Sequence, residues 1–189
     1  MLKNHIYEPV FNFIRYKYTS AFLNKHRGNK KERERVLDIG GKNEFGVRLA
    51  NEHNFSYHYS IGDLDTLDWT VSESSSHEYE VVFCFEVLEH LLNPLLLLKL
   101  LYEKKYIDEN SKIFISVPRR PHFLWTPHHF HEFDKSRFEY LIDRAGYKII
   151  TYERSGILWR NWIFYFRGIK PILRLIWPTR SYFYLVRLK

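Results

Sequence analysis

The sequence predicts an α/β fold, a doubly wound and largely parallel sheet with helices on both faces. Three observations carry this. Short apolar strands alternate with helix-patterned segments, the order that right-handed crossovers produce. "EYEVVFCF" is almost continuously apolar, as a strand covered on both faces requires. "RVLDIGGKNEFG" stops a strand on Asp38, turns through Gly40 and Gly41, and opens a helix. A turn of that kind lets a ligand approach the backbone closely.

The elements follow in order. Ile6, Val10, Phe13, Ile14, Phe22 and Leu23 recur at roughly helical spacing, which predicts a helix over the first 26 residues that packs onto the body. "KHRGNKKERER" reads as a polar linker. "RVLDI" is the first strand, followed by a helix from Glu44 to His53. "FSYHYSIGDLD" reads as a second strand ending in acid, and "TVSESSS" as loop. "NPLLLLKLLYEKKY" is a helix opened by Asn-Pro, because proline is tolerated in the first turn. "SKIFISVP" is a buried strand. "DKSRFEYLIDRAG" is a helix with an Asp cap and a stop at Gly146. "YKIITYE" and "SYFYLVRL" read as two closing strands.

Length favours one domain over residues 1–189. It divides into an N-terminal helical extension (1–33), a core (34–150) and an aromatic, basic insert (155–180) before the last strand. At 45% apolar and 18% aromatic, the composition excludes a disordered chain. A single cysteine, Cys84, excludes an internal disulfide framework, and no CxxC pair suggests zinc. No apolar run reaches the roughly 18 residues of a membrane span. The start is a poor secretory signal, so the cytoplasm is expected.

The charge of +7 is uneven. Residues 1–35 carry nine Lys/Arg against three Glu, and residues 151–189 carry eight against one. The middle carries twelve against eighteen. Basic, aromatic ends suit nucleic acid, an anionic membrane surface or simple solvation.

Together these motifs resemble a class I S-adenosylmethionine-dependent methyltransferase of the subgroup marked by "EVLEH". "VLDIGGKNEFG" resembles the family's first motif, "GDLD" its ribose-binding strand end, and "YEVVFCFEVLEHLLNP" its fourth strand and following loop. "KIFISVPRRP" and "HFHEFDKSRFEYLIDRAGYKI" resemble the fifth strand and the closing segment. The resemblance covers about residues 34–150. It implies a Rossmann-like, seven-stranded sheet of order 3-2-1-4-5-7-6, reduced around the third strand because about sixteen residues separate Asp63 from the fourth.

The resemblance implies a cofactor site of Asp38, Gly40, Gly41, Asp63, Leu64, Asp65, Phe85 and Glu86. Asp63 is favoured over Asp65 for the ribose, and Leu64, Asp68 or Trp69 is placed near the adenine. Lys42 stands where the family has a second glycine, and there it either crowds the methionine part of the cofactor or points to solvent.

Transfer to a hydroxyl needs alignment and loss of a proton, which draws attention to histidine. "PHFLWTPHHFHEF" holds His122, His128, His129 and His131, and His90 lies on the facing loop. His129 or His131 can act as base beside Glu89 and His90. Alternatively, Glu86, Glu89, His90 and His129 hold Mg²⁺ or Mn²⁺, a spacing that resembles the small-RNA 3′-terminal 2′-O-methyltransferases. At i and i+3, Glu86 and Glu89 would lie on one helical face, which makes that set possible. A purely positional role for the histidines is the third reading. Trp125 can form an aromatic wall, and Arg119 and Arg120 can contact an anionic acceptor.

The expected function is O-methylation of a small-molecule, glycan or lipid-linked acceptor. The alternatives are a metal-dependent RNA 2′-O-methyltransferase and a non-catalytic binding module. Residues 157–178 interleave Arg and Lys with aromatics, which suits a lid that touches the inner face of a membrane.

Overall fold

In the computed structural model, residues 8–28, 33–73, 78–119, 127–155 and 180–189 are described. Seven strands form one sheet: β1 (Arg35–Asp38), β2 (Ser56–Ile61), β3 (Thr70–Val71), β4 (Val81–Phe85), β5 (Lys112–Arg119), β6 (Tyr147–Arg154) and β7 (Arg180–Leu188). Their order is β3-β2-β1-β4-β5-β7-β6, as expected. The central strands β2, β1, β4 and β5 run parallel, whereas β7 pairs antiparallel with both β5 and β6.

Side chains of successive strand residues point to opposite faces, and here both faces are covered. Val36, Phe83, Phe114 and Phe183 face α1 (Glu8–His26) and α2 (Glu44–Glu52), where Phe22, Leu23, Leu49 and Ala50 meet them. Leu37, Cys84, Ile115 and Tyr184 face α3 (Pro94–Glu103) and α4 (Lys135–Arg144), against Leu97, Leu98, Phe138 and Ile142. Each Val, Leu, Ile or Phe among them contributes about 1.5–3 kcal/mol on burial. Phe22 and Leu23 thus dock the first helix as their spacing predicts. Ile6 and the side chains of Val10, Phe13 and Ile14 fall outside the description.

Local chemistry sets the helix ends. Asn93 caps α3 by accepting from the Leu96 N–H at 3.1 Å, ahead of Pro94 in the first turn. Asp134 caps α4 through the Arg137 N–H at 2.8 Å, and Gly146 ends that turn at φ +90°.

Three expectations are corrected. "TVSESSS" is not all loop, because Thr70 and Val71 form β3. That strand pairs antiparallel with β2, so no crossover occurs there. The eight residues 62–69 between the two strands are fewer than the dozen or so a parallel crossover needs. Trp69, placed near an adenine, is fully buried in the core, 5.1 Å from the Tyr106 ring. Arg27, read as linker, is 2% exposed. Its guanidinium pairs with Glu34, donates to the His53 carbonyl and lies 3.9 Å from the Phe55 ring centroid.

Candidate functional site

The turn after β1 is built around a buried carboxylate. Asp38 is 4% exposed, and its Oδ2 accepts from the Tyr57 hydroxyl at 2.7 Å and from Asn43 Nδ2 at 3.0 Å. Burial pushes its pKa up to about 7, against the lowering effect of those two donors. Asn43 also caps α2, its Oδ1 accepting from the Gly46 N–H at 2.7 Å. A Cβ on Gly46 would lie 1.9 Å from Asp38 Oδ2, so only glycine lets α2 close over the carboxylate.

Gly40 and Gly41 carry the turn at φ +111° and +86°. Both backbone N–H groups converge on Ser60 Oγ, at 3.0 and 3.2 Å, which ties the turn to β2. A Cβ on Gly40 would approach Val87 Cγ2 to 3.0 Å, so the turn also runs close to the loop after β4. Lys42 is exposed and its Nζ lies 5.9 Å from the Tyr59 ring centroid. Of the two readings of this residue, the outward one matches its placement, because the glycines absorb the bend.

At the end of β2, Asp63 is exposed and its Oδ1 accepts from the Asp65 N–H at 3.0 Å. Asp65 turns the other way: its two oxygens accept from the Leu92 and Asn93 N–H groups at 2.9 and 2.8 Å. Leu64 is buried between them, and Asp68 is exposed. Phe85, at the end of β4, packs edge-on against Phe45 with centroids 6.2 Å apart.

Glu86 follows in the left-handed region at φ +57°, with its Oε1 accepting from the Ser116 hydroxyl at 2.8 Å. It therefore precedes the single 3₁₀ turn Leu88–His90 and does not share a helical face with Glu89. The expected four-residue metal set loses its geometric basis at that position.

The other three members converge. Glu89, His90 and His129 each offer a ligand atom within 4.8 Å of the others. The two rings meet edge to face at 4.7 Å. His90 Nδ1 donates to the His128 carbonyl at 2.8 Å, and His129 Nδ1 donates to Glu132 Oε1 at 3.1 Å. In those tautomers Nε2 is the basic nitrogen of each ring. The Glu89 carbonyl accepts from the Phe130 and His131 N–H groups, docking that segment on the 3₁₀ turn. His131 donates through Nε2 to the Leu92 carbonyl at 3.3 Å.

Sequence reasoning missed Ser60, Tyr57, Ser116 and Glu132. Tyr57 could be found from strand register, since Asp38 pairs with Tyr59 and Tyr57 shares that face of β2. His122, Trp125, Arg120, the Arg119 side chain and the 157–178 insert lie outside the described residues.

The residues present suit a nucleoside-bearing cofactor. A glycine turn that a Cβ would crowd follows β1, and an exposed carboxylate, Asp63, follows the neighbouring β2, both at the carboxyl ends of parallel strands.

A family model described as a methyltransferase domain matches residues 11–162. No curated protein matches significantly. Among solved structures, the chain is similar to a SAM-dependent methyltransferase from Archaeoglobus fulgidus, at 16% identity, TM-score 0.60, covering 97% of this chain and 100% of that one. It is also similar to the [4+2]-cyclase SpnF, at 11% identity, TM-score 0.61, with 92% and 81% covered. A third is Haemonchus contortus phosphoethanolamine N-methyltransferase 2, solved with phosphomonomethylethanolamine and S-adenosylhomocysteine. There the identity is 12% and the TM-score 0.58, with 91% of this chain and 52% of that one covered. At these identities the likeness is one of fold.

Proposed function

The chain belongs to the methyltransferase-domain family and is an S-adenosylmethionine-dependent methyltransferase, and we propose that it methylates a hydroxyl oxygen of a small-molecule, glycan or lipid-linked acceptor. The sulfonium supplies the electrophilic methyl group. The chain's own residues position it and deal with the acceptor's proton.

Asp63 accepts from the ribose hydroxyls through the carboxylate it presents at the end of β2. Gly40 and Gly41 allow close approach of the methionine part, the half-buried Phe85 supplies apolar surface at the end of β4, and Leu64 lies on the adenine side. The observation that carries the hydroxyl reading is the Glu132–His129 pair set against His90. An amine acceptor can be nucleophilic without help, whereas a hydroxyl must lose its proton during transfer. Glu132 fixes the His129 tautomer so that Nε2 receives that proton, and His90 borders the same space.

The lipid-linked form of the acceptor is supported by apolar side chains on the surrounding loops. Leu67, Leu92 and Phe130 are 61%, 64% and 58% exposed, on segments hydrogen-bonded to one another through Asp65 and Glu89. Among the described residues no helix is long and apolar enough to cross a membrane, so such contact would be peripheral. The basic, aromatic 157–178 segment supports the same reading by its composition.

A second reading has its own observation. Glu89, His90 and His129, with both Nδ1 atoms anchored, form a ligand set for a divalent cation that would hold the acceptor oxygen. Two imidazoles and one carboxylate favour Mn²⁺ over Mg²⁺.

The test is a transfer assay against polyprenyl-linked glycans, quinone precursors and RNA, with and without EDTA. The proposal expects transfer to a glycan or lipid-linked hydroxyl that persists in EDTA. Transfer that stops in EDTA and returns with Mn²⁺ would establish the second reading. Transfer to RNA alone would overturn the acceptor assignment.

A further inference from the structure

Asp65 stands beside the ribose candidate yet faces away from it, and this placement links two halves of the site. Both of its carboxylate oxygens are engaged, with the Leu92 and Asn93 N–H groups at 2.9 and 2.8 Å. Those two amides immediately precede α3, where the helix N-terminus favours a negative charge. The Asp65 N–H, in turn, donates to Asp63 Oδ1 at 3.0 Å. The Leu92 carbonyl accepts from His131 Nε2, and the Glu89 carbonyl accepts from the Phe130 and His131 N–H groups. A continuous path of hydrogen bonds therefore runs from Asp63, through Asp65 and Leu92, to the segment that carries His129.

We propose that Asp65 is a positioning residue that couples cofactor binding to order in the histidine segment. This rests on the assignment of Asp63 to the ribose. When Asp63 is held by the ribose hydroxyls, the Asp63–Asp65 turn has one fewer way to move. Asp65 then fixes Leu92, and Leu92 fixes His131 and with it the His129–Glu132 pair. Without cofactor, the near end of the path is the exposed Asp63 carboxylate, held by its own turn alone, and the restraint on the far end is weaker. Charge-assisted bonds from a carboxylate to two amides are strong enough and directional enough to transmit this restraint.

Hydrogen exchange with and without S-adenosylhomocysteine tests the coupling directly. In the wild type, the homocysteine compound should slow exchange in residues 127–133 as well as at the cofactor turn. In Asp65→Ala, the compound should still bind, with its Kd raised less than about tenfold, a single hydrogen bond's worth. Slowing at 127–133 should be lost, and the KM for acceptor should rise more than kcat falls. Asp65→Asn, which keeps one accepting oxygen, should lie between. Slowing at 127–133 that survives in Asp65→Ala would overturn the coupling. So would loss of binding in Asp65→Ala with normal binding in Asp63→Ala, because Asp65 would then be the ribose ligand. A wild-type protein that binds no homocysteine compound would instead overturn the donor site itself, which separates the two failures.

Discussion

The donor side and the acceptor side of the cleft are built from different materials. The donor side is mostly backbone: two glycines at positive φ, a strand end, and a helix closed over Asp38 because Gly46 has no side chain. The acceptor side is mostly side chain: Glu89, His90, His129 and Glu132, gathered from two loops about forty residues apart in sequence. The two sides are therefore vulnerable to opposite changes. A donor site made of turns fails when atoms are added, and an acceptor site made of imidazoles and carboxylates fails when atoms are removed.

One added methyl group should disable the donor side. Gly46→Ala places a Cβ against Asp38 Oδ2 and the Tyr57 hydroxyl, at 1.9 and 2.9 Å. It should cost about 3 kcal/mol of stability, as overpacking does, and abolish cofactor binding. Urea denaturation and calorimetry read the two effects. Unchanged stability would show that α2 can shift without cost.

On the acceptor side, His129→Ala removes the group that Glu132 orients. The expected loss is about 10²–10⁴-fold in kcat, the range for general acid–base groups, while homocysteine-compound affinity stays unchanged. A fall in affinity equal to the fall in rate would merge the two sides into one.

Asp63→Ala tests the exposed carboxylate assigned to the ribose on the donor side. It removes hydrogen bonds from a carboxylate, worth about 1.5–3 kcal/mol, and should weaken cofactor binding about 10–100-fold. Stability should hardly move, since Asp63 is exposed.

Asp38 makes the donor side sensitive to pH. Its folded pKa of about 7 lies above the ordinary 3.8, so the protonated form is the one the fold favours. Its contribution to stability is complete below about pH 4 and is lost as pH rises through 7. Between those values, stability should fall by at most about 1.4 kcal/mol per pH unit. Asp38→Asn should flatten that slope in denaturation curves recorded from pH 5 to 8.

The smallest effect belongs to Lys42. It is exposed beside Tyr59, so Lys42→Gly should change cofactor affinity by no more than about twofold, as for surface changes in general. A large gain in affinity would show that its side chain does reach the cradle.

Legibility in the sequence divides along the same line. The donor turn could be read because its determinants are adjacent: Asp38, Gly40, Gly41 and Gly46 lie within nine positions. Sheet order followed from the resemblance, and helix caps such as Asn93 and Asp134 from their local pattern. The antiparallel turn into β3 was hidden because Thr-Val flanked by serines carries almost no strand signal, and pairing with Ser60 and Ile61 is what makes it a strand. Arg27 was misread because charge signals exposure, whereas Glu34 and the His53 carbonyl neutralise it in the core. Glu86 looked like a partner of Glu89 at helical spacing, but its left-handed backbone sends it to Ser116 instead. Each of these outcomes depends on a contact distant in sequence, which no local pattern encodes.

Calorimetric titration of the wild type and Asp63→Ala with S-adenosylhomocysteine tests the donor site most directly. One molecule should bind per wild-type chain, with affinity reduced about 10–100-fold in the variant. No heat from a folded wild type, or equal affinity in both proteins, would contradict the placement of the cofactor between the glycine turn and the end of β2.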